Sequence, residues 1–231
     1  MRAGAGRLRR RQNLGYAFGA VAGTLALAAL LLPVRETWLA RGPMNSGHEA
    51  LACDACHQPA PGTLRQQLQA NLRHLAGWRR TVADFGRQDV TNETCLACHE
   101  RPDDRHPVYR FLEPRFAKAR AALAPQRCES CHREHRGVRL TVPDTGYCTN
   151  CHEDTRLRRD PVDVPHERLI AEDRWETCLG CHDFHGNHVM KTATLLADAQ
   201  APARVRAYFD GGPSPYGTER RHPARKEPRR D

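Results

Sequence analysis

Ten cysteines in this 231-residue chain fall into five copies of one short pattern, and none is left over. The copies are Cys53-Asp-Ala-Cys56-His57, Cys95-Leu-Ala-Cys98-His99, Cys128-Glu-Ser-Cys131-His132, Cys148-Thr-Asn-Cys151-His152 and Cys178-Leu-Gly-Cys181-His182. Two thiols on a single turn reach the two vinyl groups of one porphyrin, and the histidine that follows lies beneath the iron as its proximal ligand. C-x-x-C-H is the attachment pattern of c-type haem. Cysteine pairs also hold structural zinc or form disulfides, but neither requires a histidine directly after every second cysteine. The pattern therefore predicts five covalently bound haem c groups, with His57, His99, His132, His152 and His182 as proximal ligands.

Eight histidines remain, and bis-histidine ligation would use five of them. His135 and His185 each follow a proximal histidine by three residues, in CHREH and CHDFH. Roughly one turn on, such a residue stays on the same side of its own porphyrin. It is therefore predicted to ligate a neighbouring haem. His48, five residues before Cys53, and His166, twelve before Cys178, suit the same exchange. His106, in the polar turn DDRHP, is the fifth distal candidate. His74, His188 and Met44 rank lower. His74 lies at the border of an apolar helical stripe, and His188 competes with His185 within HGNH. Met44, like Met190, flanks the motif region and would give one iron a His/Met pair of raised potential. His222 reads as a solvated tail residue.

These ligands need elements to position them, and the chain offers few. Only 39% of residues are hydrophobic and 6% aromatic, too little for a packed core of ordinary size. Cofactor must fill the interior, so folding is expected to be coupled to attachment. Residues 63–86 show apolar side chains at Leu64, Leu68, Leu72, Leu75, Trp78, Val82 and Phe85, in steps of three and four. This predicts a helix with Thr63 and Gln66 as a capping box and Gly86 as its stop. Its stripe reads as packing on haem, or alternatively as a surface lying on a membrane with Arg73, Trp78, Arg79 and Arg80. Further helices are predicted over Pro114–Leu123 and His166–Trp175, with loops and no sheets elsewhere. First cysteines are separated by 42, 33, 20 and 30 residues, so haems three and four are predicted to be the closest pair.

Four segments follow. Residues 1–13 carry five arginines and no acid, a cytoplasmic basic segment. Residues 14–34 are 21 residues without a charge, enough for a helix of roughly 30 Å, the thickness of a bilayer's hydrocarbon core. The arginines ahead of this run predict a signal anchor with the remainder exported, Trp38 marking the far interface. A cleaved signal peptide is the alternative. Residues 35–192 form the pentahaem domain. Residues 193–231, rich in Pro, Gly and Arg, read as a disordered tail.

The formal charge of +9 lies almost wholly at the two ends, leaving the middle near neutral. Nucleic-acid binding would put that excess on a folded face, so nucleic acid is not an expected partner. Five haems, each adding about −1 when ferric, would make the middle acidic and suit a partner with a basic patch.

Residues 48–188 resemble the multihaem c-type cytochromes, especially the class III and doubled C-x-x-C-H group. The resemblance rests on the five motifs, on CHREH and on the upstream histidines His48 and His166. It implies a mainly α fold with extensive irregular loops, a small haem-organised domain, which the uncharged run places behind one N-terminal transmembrane helix. It also implies maturation on the outer side of the bacterial cytoplasmic membrane and electron transfer along a chain of haems. The single anchor is similar to that of the membrane-anchored quinol dehydrogenase cytochromes, from which this chain departs by its fifth motif. Pentahaem nitrite reductases use a lysine at one proximal position, and no C-x-x-C-K occurs here.

The expected function is thus electron transfer between the inner membrane and periplasmic redox proteins, with a quinol or a respiratory complex as donor. No catalytic residue is needed, because the cofactor carries the chemistry. Two alternatives are a haem enzyme with one open axial position acting on a small nitrogen or sulfur compound, and a relay subunit of a larger respiratory complex.

Overall fold

A computed structural model describes residues 3–31 and 40–225. The chain divides into two units, Met1–Arg41 and Gly42–Asp231. In the first, helix α1 runs Ala3–Leu31 with Leu14, Tyr16, Phe18, Val21, Leu25 and Leu27 exposed. Among the described residues no helix is long and apolar enough to cross a membrane. The end of the uncharged run, Leu32–Val34, and Trp38 lie outside those residues.

The second unit contains the short helices α2 (Leu64–Leu75), α3 (Asn92–His99), α4 (Ala117–Leu123), α5 (Thr149–His152), α6 (His166–Ala171), α7 (Cys178–Cys181) and α8 (Pro202–Phe209), with motifs two, four and five on α3, α5 and α7 and motifs one and three on the 3-10 turns Cys53–Ala55 and Cys128–Ser130. Single 3-10 turns and loops join them. Among the described residues, pairing of β type is limited to the isolated bridges Pro59–Arg87 and His188–Arg220. The mainly α, loop-rich expectation holds.

Helix α2 begins as its sequence predicts, with Thr63 and Gln66 exchanging both capping-box bonds. It ends eleven residues before Gly86. Gly77 takes φ 75°, and the Trp78 and Gly77 N–H groups donate to the Arg73 and His74 carbonyls at 2.8 and 3.0 Å. That double bond is a Schellman stop, available because glycine has no Cβ to resist the left-handed conformation. The chain then doubles back. Gln67 is buried, donates from Nε2 to the Ala60 carbonyl at 3.0 Å and accepts the Gly86 N–H at 2.9 Å. Asn71 makes two bonds to the backbone of Ala83. The side of α2 turned inward is thus polar. The predicted α6 helix is also shorter than its pattern, because Asp173 turns left-handed (φ 55°) and a 3-10 turn Trp175–Thr177 follows.

The expected disordered tail is corrected by the structure. Pro202 starts α8, and Val205 and Phe209 bury against Leu179 of α7, flanked by Leu140, Val142, Tyr147, Phe184 and Tyr208. Carbonyls at the end of α8 are taken up by residue 139 and its neighbour: the Arg139 and Leu140 N–H groups both donate to Phe209. The Tyr216 hydroxyl donates to the Leu179 carbonyl at 2.7 Å. Pro, Gly and Arg dominate the composition there, yet a few well-spaced aromatics suffice to close the small core. Phe209→Ala is therefore expected to cost roughly 3–5 kcal/mol, as for large buried aromatics generally. A denaturant titration of the haem-loaded protein would show it, and an unchanged midpoint would mean the tail contributes nothing.

Candidate functional site

Each motif occupies one helical turn. In motifs one, three and five the histidine N–H donates to the carbonyl of the first cysteine at 2.9 Å. Motif two lies on α3, capped by Thr91, and motif four on α5. None of the ten cysteines forms a disulfide. Thiols of different motifs lie within hydrogen-bonding reach, Cys95 beside Cys128 and Cys148 beside Cys178, so motifs two and three, and motifs four and five, approach each other at their thiols.

The five motif histidines each face one further histidine. His57 lies opposite His135 with ring centres 6.2 Å apart, and His99 opposite His48 at 5.8 Å. His132 faces His185, His152 faces His106, and His182 faces His166, each at 6.1 Å. An imidazole nitrogen about 2 Å from a metal on either side, with about 1 Å more to each ring centre, gives a separation of about 6 Å. The five pairs fit one iron each. Among the described residues no group of three or more His, Cys, Asp or Glu converges as a free-ion site, so the rings meet only two at a time.

All five partner rings are also oriented. The Nδ1 of His48 meets Glu134 Oε1 at 2.6 Å, that of His166 meets Asp160 at 2.9 Å, and that of His185 meets Asp104 Oδ2 at 2.9 Å. His106 Nδ1 donates to the Phe184 carbonyl at 2.6 Å and His135 Nδ1 to the Gly42 carbonyl at 3.2 Å. A proton held at Nδ1 leaves Nε2 as the ligating nitrogen and fixes the ring plane. Burial holds His132 down to about 4, and it also lowers His99, His106 and His182, keeping these imidazoles in the neutral form a metal requires. His48 moves the other way, because its bond to Glu134 favours the imidazolium. Burial opposes ionisation of Asp104, yet the hydrogen bond and charge of His185, the His106 N–H and the Arg101 guanidinium together outweigh it and keep the carboxyl below its usual range.

Of the four histidines for which an exchange is predicted, three lie against a ring of another motif, and His106, for which no partner is predicted, also does. His135 and His185, three residues beyond proximal His132 and His182, turn to rings of other motifs. The first does so through a left-handed backbone (φ 61°), a conformation rare outside glycine and tolerated where surroundings impose it. His48 meets motif two, and His106 meets motif four. His166 is the correction: it faces His182, the histidine of the motif that follows it. The twelve-residue lead carries α6, which swings His166 back across its own motif.

The lower-ranked candidates take other places. His74 Nδ1 bonds the Arg79 carbonyl, and His222 Nε2 bonds Asp103. Met44 precedes Asn45, whose side chain ties down the loop at Arg133 and Arg136. His188 is buried beside Tyr208 and Tyr216, with Nδ1 on Asp183. The orienting groups Gly42, Asp104, Glu134 and Asp160 had no signal in the spacing, since a carboxylate near a histidine is common in any charged chain. Glu134, inside CHREH, was the most legible.

Residues 80–153 match the cytochrome c3 family, and residues 141–187 match the doubled CXXCH motif. Neither a curated protein nor a solved structure matches the chain.

Proposed function

From its place among the multihaem c-type cytochromes with doubled C-x-x-C-H groups, we propose that this chain is a membrane-anchored pentahaem protein that relays electrons from the inner membrane to periplasmic redox partners. One observation carries the reading: every motif histidine faces a second histidine at a distance that fits one iron between them. Two histidines would then hold each haem iron, and a substrate would find no open position on it. That favours a relay over the enzyme with an open site.

Haem, when bound, supplies reversible one-electron chemistry at iron. The chain's own residues set where and at what potential. The ten cysteines would tether the haems, and His57, His99, His132, His152 and His182, paired with His135, His48, His185, His106 and His166, would hold the irons. Asp104, Asp160 and Glu134 raise the basicity of three of these imidazoles through Nδ1, a lever on potential distinct from ligand identity. His132–His135 links haems three and one, and His182–His185 links haems five and three. Contacts at the thiols join two with three and four with five. The resulting continuous order supports conduction through the whole domain.

The uncharged run at 14–34 supplies the anchor, with the arginines before it on the cytoplasmic side and the haem domain in the periplasm. Quinol or a respiratory complex is the proposed donor. The anchor run carries no Asp, Glu, His, Lys or Arg, so proton release on quinol oxidation would fall to groups outside it.

The purified protein is expected to contain five haems by intact mass and to show only low-spin ferric signals in electron paramagnetic resonance. The reduced protein should be inert to carbon monoxide. A high-spin haem that binds carbon monoxide would support the enzyme reading instead. Gly42→Ala is a sharper probe of one site. A Cβ at Gly42 would lie 2.4 Å from the His135 carbonyl oxygen, so the segment bearing His135 must move. One haem of the five should turn partly high-spin while the other four keep their spectra, and an unaltered spectrum would exclude His135 as a ligand.

A further inference from the structure

The seven apolar residues predicted as one helical stripe form an exposed surface. Leu64, Leu68, Leu72, Leu75, Trp78, Val82 and Phe85 are all between 52% and 82% exposed. On the helical wheel the Leu64–Leu75 stripe lies about a quarter turn from the Gln67 and Asn71 side. That polar side meets the 60–62 and 83–86 segments, and so the stretch leading back to His57. The stripe thus lies beside the side that meets the motif segment, not on it, along roughly 18 Å of helix before Trp78, Val82 and Phe85 extend it. A contiguous apolar face of this size marks an interaction surface.

Charge selects its occupant. Arg65, Arg73, Arg79 and Arg80 are exposed around the stripe and pair with no acid among the described residues. Asp84 is the lobe's single acidic residue. Leucines and a tryptophan flanked by arginines match the interface of an anionic bilayer, where apolar side chains enter the acyl boundary and guanidinium groups meet lipid phosphates. A basic rim of this kind would repel the basic lobe of a second copy.

We propose that the α2 lobe, residues 63–86, lies on the anionic surface of the membrane and holds the first haem against it. The proposal rests on the membrane location proposed above, but adds a contact independent of the N-terminal run. It would fix the orientation of the haem domain and shorten the path from a membrane donor to His57.

The test uses the full haem-loaded chain in vesicles of anionic phospholipid bearing a photoactivatable acyl chain, with adducts mapped by peptide mass spectrometry. Adducts are expected on 64–85 as well as on 14–34. Those on 64–85 should fall about tenfold or more in zwitterionic vesicles, or in the R73Q/R79Q/R80Q variant, while those on 14–34 persist. An unchanged haem spectrum shows that the variant is folded. If it loses haem, the comparison of the two lipids in the wild type decides alone. Adducts confined to 14–34 would overturn the lobe contact and leave the anchor standing. Adducts confined to 64–85 would support the lobe and remove the anchor. No adduct at either place would overturn both, and cross-links from 64–85 to protein instead of lipid would overturn the lobe contact.

Discussion

Cys178→Ser with Cys181→Ser is expected to remove more than one haem and to unfold much of the second unit. Motif five is where the interior converges. Leu179, Gly180 and Cys181 are buried on α7, and Leu179 forms the small core with Val205 and Phe209. Gly180 is in contact too close for a side chain, since a Cβ there would lie 2.7 Å from the Gln200 carbonyl oxygen. The same short stretch supplies His182 to one pair, His185 to the motif-three pair, and the Phe184 carbonyl that orients His106 opposite His152. Releasing it disturbs the ligands of haems three, four and five together. A domain whose total stability is about 5–15 kcal/mol cannot absorb that loss. The corresponding change in motif one, Cys53→Ser with Cys56→Ser, should be local, because that turn contributes His57 alone to the ring pairs. Intact mass and circular dichroism distinguish the two. The motif-one variant should keep four haems and its helix signal, whereas the motif-five variant should keep fewer than four and melt at a much lower temperature. Equal behaviour of the two variants would refute this asymmetry.

The second large effect is on potential. In His185→Met, a thioether replaces the imidazole opposite His132, and one haem should rise in potential by on the order of 100 mV, within the ~0.8 V range that axial ligands command. Asp104→Asn keeps the imidazole but replaces the carboxylate at its Nδ1 by a neutral amide. Its effect should be in the same direction and smaller, because only ligand basicity changes. Spectropotentiometric titration resolves both: one component moves and four stay. A uniform shift of all five components would mean that the substitution acts through the fold and not through one iron.

Chemistry was legible in the sequence where it is contained within a few consecutive residues. C-x-x-C-H carries its tethers and its proximal ligand on one turn, so five sites could be read without knowing any fold. Three residues beyond the motif, helical geometry already excluded His135 and His185 from their own irons. It could not say which irons they reach, because that depends on how distant turns meet. The match of His135 to motif one needs Gly42, 93 residues away in sequence, close enough for backbone contact. His166 shows the limit from the other side, since its lead of twelve residues suits either an exchange or a return, and only the path of α6 chose the return. Periodicity in α2 likewise gave the stripe but not its direction. Buried Gln67 and half-buried Asn71 turned the polar side inward, because each satisfies backbone groups of the returning segment that would otherwise be left unpaired. In the tail, composition argued for disorder, and three spaced aromatics packing on α7 overrode it. Local covalent chemistry was thus determined by the sequence alone. Ligand pairing, the exposed face of α2 and the order of the tail were decided by tertiary structure, because each depends on contacts between residues far apart in the chain.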